Sequence, residues 1–120
     1  MRELGAELRR HPRQQRAVCG WLQFSDENVV RGMVTVNISQ EGARFATLRP
    51  VLPAERVLVS LQLTPTGPAV ECKGRVCWVR EMDNGLRHFG VRFVDLHEDE
   101  SAALAQFLEE KESQSTMTAV

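Results

Sequence analysis

V-V-R-G-M-V-T-V-N-I-S-Q-E-G-A-R-F, residues 29 to 45, is the stretch on which the fold turns. Val30, Val34, Val36 and Ile38 fall at every second position, with Gly32 in the same phase and mostly polar residues between them. Alternation of period two predicts a half-buried strand whose apolar face is the valine face. Asn37, Ser39 and Gly42 then break the pattern. Asn and Ser side chains bond backbone groups two or three residues away, and Gly tolerates φ > 0, so these residues by themselves predict a hairpin corner.

Outward from that corner the same period recurs. Upstream, residues 1–16 hold five arginines, few apolar side chains and Pro12, which stops any longer helix. They read as a basic arm feeding a first strand from Arg16 to Phe24, and S-D-E-N at 25–28 is a polar turn. Downstream comes a short strand from Gly42 to Leu48, then a connection marked by Pro50 and Pro53. Val57, Val59, Leu61 and Leu63 make the inner face of the next strand, which ends at T-P-T-G-P, residues 64–68. Val70, Cys72, Gly74, Val76 and Trp78 share a further apolar face, opposite Glu71, Lys73 and Arg75, which assigns Trp78 to the core. Trp21 fits either the core or a partner surface. A turn at Asp83 to Gly85 leads to Phe89, Val91 and Phe93 on a last strand.

Six short strands at near-regular spacing make the chain mainly β, an antiparallel barrel or sandwich over residues 17–96. After Asp95 the period changes: Leu104, Phe107 and Leu108 lie at helical spacing behind an acidic first turn. One C-terminal α-helix is expected over 97–112, with residues 113–120 as a frayed tail.

A chain of 120 residues, 42% hydrophobic and 26% charged, is one ordinary globular domain with enough length for a core. No apolar run approaches the roughly 18 residues of a membrane span, and M-R-E-L-G-A-E-L-R-R lacks the apolar region of a signal peptide. The expectation is a cytoplasmic protein without membrane insertion. Three cysteines make a poor disulfide framework. Cys72 and Cys77, five apart on one strand, point to opposite faces and cannot grip one metal ion. Cys72 and Cys19 read as buried apolar thiols and Cys77 as partly exposed. There is no G-x-S-x-G elbow, no P-loop and no dinucleotide fingerprint, and His11, His88 and His97 lack metal-ligand spacing. The chain therefore reads as a non-enzyme with no metal and no cofactor.

Charge is unevenly placed. Arg2, Arg9, Arg10, Arg13 and Arg16 against Glu3 and Glu7 make the first 16 residues net +3. Asp95, Glu98, Asp99, Glu100, Glu109, Glu110 and Glu112 against Lys111 make the C-terminal part net −6. A basic head points to an anionic ligand near the N-terminus. Within it, Arg9, Arg10 and Arg13 form R-R-H-P-R. Each guanidinium is a permanently charged planar fork that grips phosphate bidentately, pairs with guanine O6 and N7, or stacks on a purine. Asn37, Ser39 and Gly42 are the residue types that complete such a site with small polar groups and a backbone of close approach. A barrel for single-stranded nucleic acid would show exposed aromatics along a basic groove. The absence of Tyr and the inward Phe89 and Phe93 argue against it.

The pair of motifs, R-x-x-x-R at Arg9 and Arg13 and [D/N]-x-S-x-x-G at Asn37, Ser39 and Gly42, resembles the PilZ domain signature. The likeness covers about residues 7–110 and includes G-R-V-x-W at Gly74 to Trp78 and F-G-V-R-F at Phe89 to Phe93. It implies a six-stranded PilZ-type β-barrel with a flexible basic N-terminal arm, binding the bacterial second messenger cyclic di-GMP. Arg9 and Arg13, with Arg10 beside them, would hold guanine edges and phosphates. Asn37 and Ser39 would bond the ligand from the barrel, and Gly42 would keep the corner open. Leu8, just before R-x-x-x-R, resembles the type that takes one ligand, and Arg16 and Arg44 are auxiliary candidates. Gln14 and Gln15 stand where the family often has an apolar residue. The expected function is a stand-alone receptor whose arm orders on the ligand and presents a surface to a protein partner. The alternative is a degenerate PilZ module that binds protein but not the dinucleotide. Either way, the ligand reading requires the corner to lie on the side of the barrel where the arm emerges.

Overall fold

The computed structural model describes the backbone of residues 17–119 and the side chains of residues 17–109. Six strands follow in chain order: β1 Cys19–Phe24, β2 Arg31–Ile38, β3 Gly42–Thr47, β4 Arg56–Gln62, β5 Val70–Glu81 and β6 Arg87–Phe93. They close into an antiparallel barrel in the order β1-β2-β3-β6-β5-β4, so no strand edge is left open. Val57, Val59 and Leu61 fill the interior from β4 as their alternation predicts. Phe24, Phe45 and Phe89 meet at its centre, Phe89 lying 5.9 Å from Phe24 and 5.7 Å from Phe45 between ring centroids. Burying each ring contributes roughly 1.5–3 kcal/mol.

The helix, α1 Glu98–Ala119, seats Leu104, Phe107 and Leu108 in the core. The Glu100 carboxylate accepts from the backbone N–H of Glu71 at 2.8 Å and of His97 at 3.4 Å, tying the first turn to β5. The helix runs past the expected end at residue 112, because no Gly or Pro after Glu98 interrupts it.

Two bulges change which side chains face inward. The β2–β3 register shifts between Thr35 and Asn37, so Val36 is an extra residue and Thr35 and Ile38 both point into the barrel. Upstream of the shift the valine face is outside: Val34 is 51% exposed, and Val30 and Gly32 are exposed as well. This reverses the expected phase. Thr35 holds the inner position because its Oγ1 accepts the Val18 N–H at 2.9 Å, anchoring the chain as it enters β1. In β1 the inner residues are Gly20, Leu22 and Phe24, so Cys19 is exposed rather than buried and Trp21 faces out, 42% exposed.

The second bulge lies in β5, between Val76 and Trp78, with Cys77 as the extra residue. Trp78 therefore leaves the core for the outer face, correcting its assignment from alternation, and Val79 packs against the core in its place. Cys72 is half-buried against the core, and burial, with Glu100 and Asp95 nearby, pushes its thiol up to about 12. Cys77 is exposed, so the two thiols do face opposite ways.

The loops beside β1 and β3 are tied by one cation. Arg49 reaches Asp26 at 2.8 Å, Glu27 at 3.0 Å and Glu55 at 2.9 Å, and its guanidinium lies 4.0 Å from the Phe24 ring centroid. Glu27 also takes both prongs of Arg31 at 2.9 and 2.8 Å. The Arg31 bonds, reinforced by Arg49, hold the Glu27 carboxyl down to about 2.

Candidate functional site

The corner between β2 and β3 is built by Ser39. Its side chain is buried, 2% exposed. Its N–H donates to the Gly42 carbonyl at 2.9 Å, its Oγ donates to the same oxygen at 3.4 Å, and its Oγ accepts the Glu41 N–H at 3.2 Å. Ser39 thus spends its hydroxyl on the shape of the turn. Glu41 in turn accepts the Phe93 N–H at 2.9 Å, fastening the corner to β6. Gly42 is required for a reason that the turn alone does not suggest. A Cβ there would collide with the Val91 carbonyl of β6, whereas the left-handed φ that favours Gly occurs elsewhere, at Gly85.

The bulge at Val36 aims Asn37 outward, and from it one row crosses four strands. Asn37 pairs with Arg44, Arg44 with Gly90, and Gly90 with Trp78. The bare Gly90 lets the indole lie flat across β6, since a Cβ at that position would meet the indole nitrogen. The Arg44 guanidinium stands 5.2 Å from the Trp78 ring centroid, and Arg44 Nε donates to His88 Nδ1 at 2.9 Å. Burial, with Arg44 and Arg80 nearby, pushes the His88 pKa down, a direction that agrees with an imidazole accepting that bond at Nδ1. Between the row and the corner lies a hollow of about 260 Å³, lined by Glu41, Cys77, Trp78, Gly90, Val91 and Arg92. An amide, a fixed guanidinium and a half-covered indole side by side suit a flat heteroaromatic ring that carries an anion.

Arg44 thus joins Asn37 beside the corner. Sequence reasoning missed Trp78 and His88. The signal for Trp78 was the spacing of Val76 and Val79, three apart, which cannot both face inward unless the strand bulges between them. Arg9, Arg10, Arg13, Leu8 and Arg16 lie outside the described residues. The described chain begins next to the corner: Val18 exchanges hydrogen bonds with Thr35, its N–H to Oγ1 at 2.9 Å and its carbonyl from the Thr35 N–H at 3.0 Å. Cys19 pairs with Val34, which carries Ala17 towards Val36 and Asn37. Ala17, where the described chain starts, therefore lies at the same end of the barrel as Asn37 to Gly42.

A family model described as the PilZ domain matches residues 7–110. The chain belongs to the PilZ domain family. No curated protein matches this PilZ domain significantly. Among solved structures it is similar to the Bacillus subtilis inhibitor of motility MotI/DgrA, at 13% identity and TM-score 0.77, covering 89% of this chain and 52% of that one. It is similar to the PilZ domain with c-di-GMP of YcgR from Escherichia coli, at 14% identity and TM-score 0.71, covering 94% of this chain and 99% of that one. The MrkH–c-di-GMP complex of K. pneumonia matches at 15% identity and TM-score 0.70, over 90% of this chain and 53% of that one. At these identities the likeness is one of fold. This PilZ domain spans about half the length of the MotI/DgrA and MrkH chains. Among the described residues no helix is long and apolar enough to cross a membrane.

Proposed function

We propose that this PilZ domain is a cyclic di-GMP receptor that orders its N-terminal arm on the ligand and signals to a protein partner in the cytosol. The observation that carries the reading is the convergence at one place: residue 17, which follows the arm, sits beside the corner and the start of the row of Asn37, Arg44 and Trp78. Arg9, Arg10 and Arg13 close from the arm onto the phosphates and guanine edges, while Asn37 offers an amide from the barrel. Ser39 and Gly42 hold the corner in the shape that admits the ligand. Arg44 adds charge, and Trp78 gives a guanine a ring to lie on. Arg16 is an outer contact, and Leu8 favours a single ligand.

Ordering the arm costs roughly 1–2 kcal/mol per residue in backbone entropy. Charge-assisted, bidentate contacts to a desolvated dianion are the interactions strong enough to offset it. The YcgR PilZ domain and the MrkH complex each hold c-di-GMP on this fold, which supports the same ligand here.

Calorimetric titration with cyclic di-GMP, with GTP and cyclic GMP as controls, tests the proposal. Saturable heat for the dinucleotide alone is expected, and Arg13→Ala should weaken binding more than Arg16→Ala. Absence of heat and of any spectral change at high micromolar ligand would leave only the protein-binding module as the reading. Equal binding of all three nucleotides would reduce the site to a general anion trap.

A further inference from the structure

Outward-facing residues of adjacent strands form a second row, parallel to the one through Asn37. Starting at Gly42 of the corner it runs to Arg92 on β6, Arg75 on β5 and Arg56 on β4, each the register partner of the next. All three arginines are exposed. Partners in antiparallel strands lie about 4.5–5.5 Å apart at Cα, and like charges directly opposite one another destabilise the sheet. The chain has carboxylates to spare and uses them elsewhere: Arg31 and Arg87 each sit on one and Arg49 on three. Arg56, Arg75 and Arg92 have no acidic partner among the described residues. Glu55, the neighbour of Arg56, is turned to Arg49 instead.

The flank of this row is apolar. Two register pairs further along, the next pair on the outer face, Leu58 of β4 faces Lys73 of β5, and Leu58 and nearby Val94 are more than half exposed. A hollow of about 540 Å³ lies among Arg56, Leu58, Lys73, Arg75 and Val94. It adjoins a second of about 490 Å³ lined by Leu58, Lys73, Val30 and Trp21. Lys73 meets a carboxylate only at 4.0 Å, from exposed Asp95.

We propose that this face of β4, β5 and β6 docks an acidic segment of a partner protein, its carboxylates on Arg56, Arg75 and Arg92 and one apolar side chain in the hollow beside Leu58. Charge complementarity selects an acidic occupant. The apolar floor at Leu58, Val94 and Val30 favours a peptide, which can set an apolar side chain there, over a nucleic acid, whose sugar-phosphate backbone has none to offer. The proposal rests on the reading that the chain acts through a protein partner. The face itself is complete without the dinucleotide, and Arg92 beside Gly42 is where the two sites adjoin.

Fluorescence anisotropy with a fluorescein-labelled peptide, EEDLEEFDEE, tests it at low ionic strength without cyclic di-GMP. A failure of dinucleotide binding is thereby distinguishable from a failure of the docking face. Saturable, salt-sensitive binding is expected, weakened roughly tenfold or more by Arg75→Glu and severalfold when the peptide's Leu and Phe become Ser. Arg87→Glu, which removes a cation already paired on another part of the barrel, should leave it unchanged. Circular dichroism confirms that the exposed variants stay folded. No binding, equal loss with Arg87→Glu, or tighter binding of an oligothymidylate of similar charge would overturn the proposal. So would a salt-sensitive dimer abolished by Arg75→Glu, which would assign the face to the acidic helix of a second copy.

Discussion

Two glycines carry different loads, and substitution separates them. Gly42 faces the Val91 carbonyl, a backbone atom that cannot swing aside. Gly42→Ala should therefore push β3 from β6 at the corner and cost roughly 1–3 kcal/mol, read as a lower urea midpoint. Gly90 faces the Trp78 indole, a side chain that can rotate away. Gly90→Ala should leave the fold closer to wild-type stability but lift the ring off β6 and break its approach to Arg44. In a Trp21→Phe background, where Trp78 is the sole tryptophan, its emission should shift to longer wavelength and cyclic di-GMP affinity should fall. Unchanged emission would mean that the indole does not rest on Gly90. The glycine of the signature motif is a packing residue against β6, and the one outside it gives the Trp78 indole its seat.

At the scale of the strand, β2 makes the sharpest test, because its face polarity is inverted. Outward Val34 should tolerate Ser within about 0.5 kcal/mol, as surface sites do. Inward Thr35→Val, a swap that β-propensity would favour, removes the acceptor of the buried Val18 N–H and should cost about 1–3 kcal/mol. Thermal melts of the two variants decide between the phases, and the opposite order would restore the valine face to the core. This strand also shows how far sequence alone reaches. Strand number and the corner at Asn37 to Gly42 were legible because alternation and turn chemistry act locally, while the pattern left barrel or sandwich open and only the PilZ likeness implied the barrel. The side of β2 and the place of Trp78 were not. A bulge adds one residue and flips everything beyond it, and its position depends on partners in β3 and β6 that the local pattern does not contain. In β2 the inner position went to a threonine because the entering chain needed an acceptor, which no hydrophobicity pattern reports.

Across the whole molecule two linkages join distant parts. The first is acid-sensitive. Glu27 titrates near 2 in the folded chain against 4.5 for the free group, its charged form held by Arg31 first and Arg49 next. A carboxyl depressed on folding contributes stability that is complete above about 4.5 and drains away as pH falls towards 2. The urea midpoint should decline over that window, and Glu27→Gln should flatten part of the decline while lowering stability at neutral pH. The second linkage is the ligand. A molecule bound only by the folded state raises stability by RT ln(1 + [L]/Kd), about 2.7 kcal/mol at a hundredfold excess over Kd. For a domain of this size that moves Tm by on the order of 10 °C. Among the described residues the core is built from positions beyond 17. Arg13→Ala should thus leave Tm without cyclic di-GMP where it was and remove most of the shift with it. A variant already destabilised without ligand would show the arm to be part of the folded barrel instead of a strap that the ligand fastens.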